Sequence, residues 1–192
     1  MVVLCVLVRL LFKDSTLAAD LTLYTDEMKP FYTWPRLIYN SGINLCEGEF
    51  EFEFKTFLRD ALVLYQDDNG MKDSLAITLQ DGHLHVEAEF GDEFYGNYTT
   101  PKTYNDFKWH AVGVRLKCPD PCLEVTIDQV MYKKERVNVC RLDTDLQIGG
   151  FSSKRTISSV SNSNVAKFIG PYVRRGFFNA CVRNVRYGKN GK

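Results

Sequence analysis

From Glu49 to Tyr187 apolar and polar residues alternate with a period of two, and no stretch of comparable length repeats apolar residues at helical spacing. Successive side chains of an extended strand point to opposite faces, so this alternation predicts strands with one dry face and one wet one. Glu49-Phe-Glu-Phe-Glu-Phe54 shows it most sharply, with phenylalanines on one side and glutamates on the other. Ala61 to Tyr65 is instead a continuous apolar run, closed by Asp67-Asp-Asn-Gly70, where Asn and Gly tolerate positive φ. Ser74 to Gln80 and His83 to Phe90, separated by Asp81-Gly82, read as a hairpin. Trp109 to Leu116 and Leu123 to Gln129 read as a second. Leu146 to Gly150 and Phe178 to Tyr187 supply later strands, and Gly149 with Gly150 points to a close backbone approach.

Many short strands divided by turns, with no crossover helices between them, predict an all-β fold: a two-sheet antiparallel β-sandwich of jelly-roll type. Residues 152–165, rich in serine and asparagine, are expected to form a long mobile loop on its rim. Asn97-Tyr-Thr99 is a glycosylation sequon in a polar stretch that reads as a surface loop.

A chain of 192 residues with 45% hydrophobic content can fill one substantial core. Basic and acidic residues balance at 24 each, so no global field draws nucleic acid or anionic membrane to the protein, and no nucleic-acid partner is expected. The charge is uneven, however, because seven basic residues and no acidic one follow from Lys167 onward. Lys167, Arg174 and Arg175 are therefore candidate contacts for an acidic partner or a sulfated glycan, with a solvated terminal strand as the plainer reading.

Met1 to Phe12 is almost wholly apolar but well short of the ~20 residues that cross a bilayer. With Ala18 and Ala19 ahead of Asp20, it reads as a signal peptide over residues 1–19, leaving 20–192 as the domain and no transmembrane segment in this chain. Six cysteines without CxxC or Cys/His spacing suit disulfides in an oxidising compartment. Without Cys5 the remaining five are Cys46, Cys118, Cys122, Cys140 and Cys181, so one is free or pairs outside the chain. Cys118 and Cys122 flank a Pro-Asp-Pro turn between two alternating runs, which makes a bridge between them sterically feasible.

Three constellations carry candidate chemistry. Glu47, Glu49, Glu51 and Glu53 share a strand face, and two carboxyls ~5 to 9 Å apart are what a glycosidase needs. A glycosidase would work through Glu51 and Glu53, yet no aromatic sugar platform is evident on that face, and a solvated outer face is the ordinary alternative. His83 and His85 also share a face, without a third metal ligand at a recognisable spacing. His110 follows Trp109 in a strand, and no Gly-x-Ser-x-Gly elbow accompanies it. Asp67, Asp68, Asn69 and Asp73 cluster around a turn at the sandwich rim, where hard oxygen ligands suit calcium; an ordinary polar turn would look the same.

The order of motifs resembles a laminin G-like, or LNS, domain across about residues 28–190. The matching pieces are Phe50-Glu-Phe-Glu-Phe-Lys-Thr56, Leu62-Val-Leu-Tyr65, Asp73-Ser-Leu-Ala-Ile-Thr-Leu79 with Gly82, and Trp109-His-Ala-Val112. They continue with Leu123-Glu-Val-Thr-Ile-Asp128, Leu146-Gln-Ile-Gly-Gly150 and Gly176-Phe-Phe-Asn-Ala-Cys-Val-Arg-Asn-Val185. Within the family the chain is most similar to the first such domain of the long neurexins, on Trp34-Pro-Arg36, Leu62-Val-Leu-Tyr-Gln-Asp-Asp68 and Ile127-Asp-Gln-Val130.

That resemblance implies a non-catalytic adhesion or receptor module, secreted or at the extracellular face of the plasma membrane within a larger ectodomain. Its partners would be extracellular or cell-surface proteins, synaptic ones among them, docking on rim loops around a calcium ion. The family's site maps onto Asp73 and the Phe90 carbonyl, with Val139 offering a second carbonyl. Arg141 then falls where a side-chain ligand belongs; either a register shift lets Asp143 serve or the site is degraded. One carboxylate with carbonyls and water implies weak affinity, roughly 10⁻⁴ to 10⁻³ M. A glycan-binding module of the extracellular matrix is the alternative, and a jelly-roll glycosidase a more distant one.

Overall fold

The computed structural model describes residues 37–39, 43–69, 73–91, 94–117, 121–136, 140–149 and 180–189. The expected signal peptide, the 152–165 loop and the basic residues Lys167, Arg174 and Arg175 lie outside these, as do Cys118 and Val139.

Apart from one 3₁₀ turn at Leu45–Glu47, the described elements are strands, in two antiparallel sheets as the alternation predicts. The six-stranded sheet contains β1 (Leu37–Tyr39), β3 (Ala61–Asp67), β4 (Ser74–Gln80), β5 (His83–Phe90), β6 (Phe94–Thr103) and β10 (Leu146–Ile148). Its spatial order is β1-β10-β3-β4-β5-β6. The five-stranded sheet contains β2 (Gly48–Thr56), β7 (His110–Lys117), β8 (Pro121–Ile127), β9 (Val130–Arg136) and β11 (Ala180–Lys189), ordered β11-β2-β7-β8-β9.

The core lies between the sheets. Phe50, Phe52 and Phe54 of β2 point into it, with ring centroids 5.8 and 6.4 Å apart along the strand. Val112, Val114, Val125 and Ile127 flank them, and Leu64, Leu75, Ile77 and Val86 of the other sheet complete the same cluster. The six-stranded sheet is buried on its second face too: Tyr65, Ala76 and Thr78 are fully enclosed and Glu87 nearly so. That is why β3 reads as an unbroken apolar run rather than an alternation, since each of its seven residues is buried.

Two tight turns set the hairpins. Asp81 and Gly82 both have positive φ, 50° and 85°, a pair of left-handed residues whose twist matches the strands they join. Asp128 and Gln129, at 50° and 65°, do the same between β8 and β9. At Gly82 a Cβ would stand 2.5 Å from the Asn105 side chain, so both conformation and space ask for glycine.

Two expectations are corrected here. Asn97 lies in strand β6, not in a loop, and the strand expected from Leu123 to Gln129 ends at Ile127, after which Val130–Arg136 forms β9, which the alternation does not reveal. Both are edge strands.

Candidate functional site

The strands run between two poles of the sandwich. At one pole lie the end of β3, the start of β4, the end of β5 and residues 140–144; at the other lie the Phe57 corner, the Asp81-Gly82 turn and residues 104–110.

The first pole is stitched together by polar side chains that turn inward. Gln66 is fully buried and donates through Nε2 to the Ile43 carbonyl at 2.8 Å and the Thr144 carbonyl at 2.7 Å, while its Oε1 accepts from the Leu45 amide at 3.2 Å. Asp67 accepts from the Tyr65 hydroxyl at 2.8 Å, the Thr144 hydroxyl at 2.7 Å and the Asn69 amide at 3.1 Å. Its carboxylate is thus a structural acceptor. A disulfide between Cys46 and Cys140, with Cα atoms 5.7 Å apart, ties the entry of β2 to the 140–144 segment. Cys181 is disulfide-bonded as well, so no cysteine with a described side chain is a free thiol. The Cys118–Cys122 bridge lies outside the described residues, because the side chain of Cys122 belongs with them no more than Cys118 does.

Asp73 is the centre of this rim. It is buried, its Oδ1 accepts from the Gly91 amide at 2.7 Å, and its Oδ2 accepts from the Arg141 amide at 2.6 Å. Its own carbonyl accepts from the Asp68 amide at 3.0 Å. The structure therefore brings together Asp73, the Phe90–Gly91 corner and the segment after Val139, which the resemblance assigns to one site. It gives their side chains different partners. Asp143 accepts from Arg141 Nε at 2.6 Å, an ion pair on the exposed side of the rim. Hydrogen bonding to Asp143 holds the Arg141 guanidinium firmly charged, and the Asp68 and Asp73 carboxylates reinforce it. No three His, Cys, Asp or Glu side chains among the described residues gather as a metal cluster would require. Of the expected calcium ligands, Asp73 meets an N–H donor on each oxygen, Asp143 is paired with Arg141, and the Val139 carbonyl lies outside the described residues.

The other candidates are accounted for by their neighbours. Glu49 pairs with Arg115, which also reaches Glu124 at 3.5 Å. Glu53 accepts from Arg183 and Asn184, each at 2.7 Å. Burial works against the Glu53 charge, but these hydrogen bonds outweigh it and hold the carboxyl below its usual range. That shift unsuits Glu53 to be the general acid, and the Arg183 and Asn184 contacts occupy both of its oxygens. His83 Nδ1 faces the Thr100 carbonyl and His85 Nδ1 the Thr99 hydroxyl, both at 2.8 Å, so β6 engages the pair. Burial, with the charge of His83, holds His85 below its ordinary value. His110 is clamped between Asp106 on Nε2 at 2.9 Å and Asp128 on Nδ1 at 3.0 Å, leaving neither nitrogen for a nucleophile.

Sequence reasoning missed an aromatic and cationic cluster at the opposite pole. Phe57, 61% exposed, stacks on Phe107 with centroids 4.2 Å apart. Lys55 Nζ stands 4.6 Å from the Phe107 ring and 5.0 Å from Trp109, and the Arg183 guanidinium lies 3.9 Å from Trp109. Aromatic rings do therefore stand beside the glutamate row, contrary to the expectation. They come from the 104–110 segment rather than from β2, so no periodicity signals them, and Lys55 and Arg183 lie over the indole.

The described residues thus form a two-sheet sandwich whose strands are joined by side-chain ion pairs. The laminin G domain model matches residues 54–190, and the chain belongs to that family. It is 32% identical to Neurexin 1 of Drosophila melanogaster over 157 residues, 82% of this chain and 8% of that protein. It is 25% identical to Protocadherin Fat 2 of Mus musculus over 115 residues, 59% of this chain and 3% of that one. The chain thus spans less than a tenth of either curated relative. Domains LG4-5 of the mouse laminin alpha1 chain superpose with a TM-score of 0.58 at 19% identity, covering 74% of this chain and 36% of that one. The LG1-3 region of the laminin alpha2 chain gives 0.54 at 20%, covering 73% and 26%. Among the described residues no helix is long and apolar enough to cross a membrane.

Proposed function

We propose that this protein is a non-catalytic, extracellular adhesion or receptor-type module that engages protein partners through the Asp73 rim. The observation that carries the reading is the construction of that rim. A disulfide, a buried glutamine and two buried aspartates immobilise the backbone there, while Arg141 and Asp143 stand exposed on it. Loops fixed in this way lose little further freedom when a partner binds, so more of the contact energy appears as affinity. Membership in the laminin G family and similarity to a neurexin support a cell-surface setting, and the Cys46–Cys140 bridge suits an oxidising compartment.

The test is binding of the purified, fluorescently labelled protein to intact neuronal cells, comparing Asp143→Lys on the rim with Lys55→Glu at the far pole. The rim variant is expected to lose at least tenfold in apparent affinity and the pole variant to match wild type. Equal binding by all three would overturn the rim assignment. Binding abolished by heparinase and not by Asp143→Lys would favour the sulfated-glycan reading instead.

A further inference from the structure

The resemblance to laminin G-like domains implies a calcium ion at the rim, but the Asp73 and Asp143 carboxylates there already meet N–H donors, and Arg141 brings a positive charge where a ligand is expected. We propose that Arg141 is the resident cation of the rim, a tethered charge that lets Asp73 and its neighbours hold their arrangement without a metal.

The geometry has three parts. First, the work a metal would do in joining the end of β5 to the 140–144 segment is done by the Asp73 carboxylate alone, which takes one backbone N–H from each, at 2.7 and 2.6 Å. Second, the residue whose amide bonds Asp73 at 2.6 Å carries the guanidinium that bonds Asp143 at 2.6 Å. One residue thus contacts the rim acids through both its backbone and its charge. Third, Asp67, the remaining acid of the turn, is occupied by Tyr65, Asn69 and Thr144. A guanidinium offers five donors and no lone pair and keeps its proton in proteins, so Arg141 cannot be a ligand and repels any divalent ion that approaches the same acids.

The proposal concerns the rim that the functional reading uses, but its test needs no partner. Thermal melts of the full chain are recorded with EDTA and with about 5 mM calcium chloride, for wild type and for Arg141→Met, which keeps the aliphatic stem and removes the charge. Wild type is expected to melt within about 1 °C in the two buffers. The variant is expected to melt about 2–4 °C lower than wild type in EDTA. A calcium site of the usual extracellular strength would raise the wild-type melting temperature by about 2–9 °C at that concentration, and such a rise would overturn the proposal. An Arg141→Met protein melting with wild type in EDTA would overturn it equally. Either failure leaves the docking reading standing, and loss of docking in the Asp143→Lys experiment leaves these melts unaffected.

Discussion

Replacing Asp73 by alanine removes one side chain and strands two backbone donors. Asp73 is 5% exposed, and its carboxylate accepts from the Gly91 and Arg141 amides at 2.7 and 2.6 Å. Hydrogen bonds to a charged group contribute about 1.5–3 kcal/mol each, and a buried donor left unpaired costs about 1–3 kcal/mol. Water can reach the Arg141 amide more easily than the Gly91 amide, because Arg141 is exposed, so part of the loss is recovered. A net destabilisation of about 3 kcal/mol follows, equivalent to a fall of about 6–12 °C in melting temperature for a domain of this size. Asp73→Asn keeps one acceptor oxygen and should lose about half as much. Urea denaturation followed by tryptophan fluorescence gives the free energies, provided the slope with denaturant stays constant across the series. If Asp73→Ala costs less than about 0.5 kcal/mol, the carboxylate does not hold the two segments and the account of the rim is wrong.

The His110 clamp makes stability depend on acid. The Lys108 amide, with further bonds from His110 and the Lys108 side chain, holds the Asp106 carboxyl well below its usual range. A carboxyl depressed in the folded state adds stability that is present above its unfolded value of about 3.9 and is lost as pH falls toward the folded one. The gap between wild type and Asp106→Ala should therefore be at its full size above about pH 5 and narrow as pH drops below about 4; a gap that stays constant in urea titrations down to about pH 2.5 contradicts this. The Cys46–Cys140 bridge spans 94 residues, and loss of such a constraint costs about 4–5 kcal/mol in the chain-entropy account. Cys46→Ser with Cys140→Ser should accordingly unfold at much lower urea, and an unchanged midpoint would show that the bridge contributes nothing to the folded state.

Alternation made the inner strands legible because each buries one face. β4 and β5 match their expected limits, and β2 extends the expected strand by one residue at its start and two at its end. The edge strands β6 and β9 were not legible for the same reason. In β6 the outward residues Tyr95, Asn97 and Thr99 are exposed, and in β9 Val130 and Met131 are exposed ahead of a run of charges. A strand with one unpaired edge gains from polar and charged residues, which erases the dry–wet contrast. Asp73 could be singled out as an acid at a turn, but its partners are backbone amides of Gly91 and Arg141, and amides carry no mark in a sequence.

What the residues determine by themselves is therefore the class: two stacked sheets, a phenylalanine-lined core, a hairpin closed by Asp81-Gly82, and the laminin G family. These rest on local periodicity and turn chemistry, which act over a few residues. Tertiary structure alone decided that Cys46 meets Cys140, that Asp73 is buried under two strand ends, that Lys55 and Arg183 lie over Trp109, and that Arg141 brings its charge among the rim acids. Each of those depends on parts of the chain distant in sequence arriving at one end of the sandwich, and pairing over such separations follows from how the sheets pack.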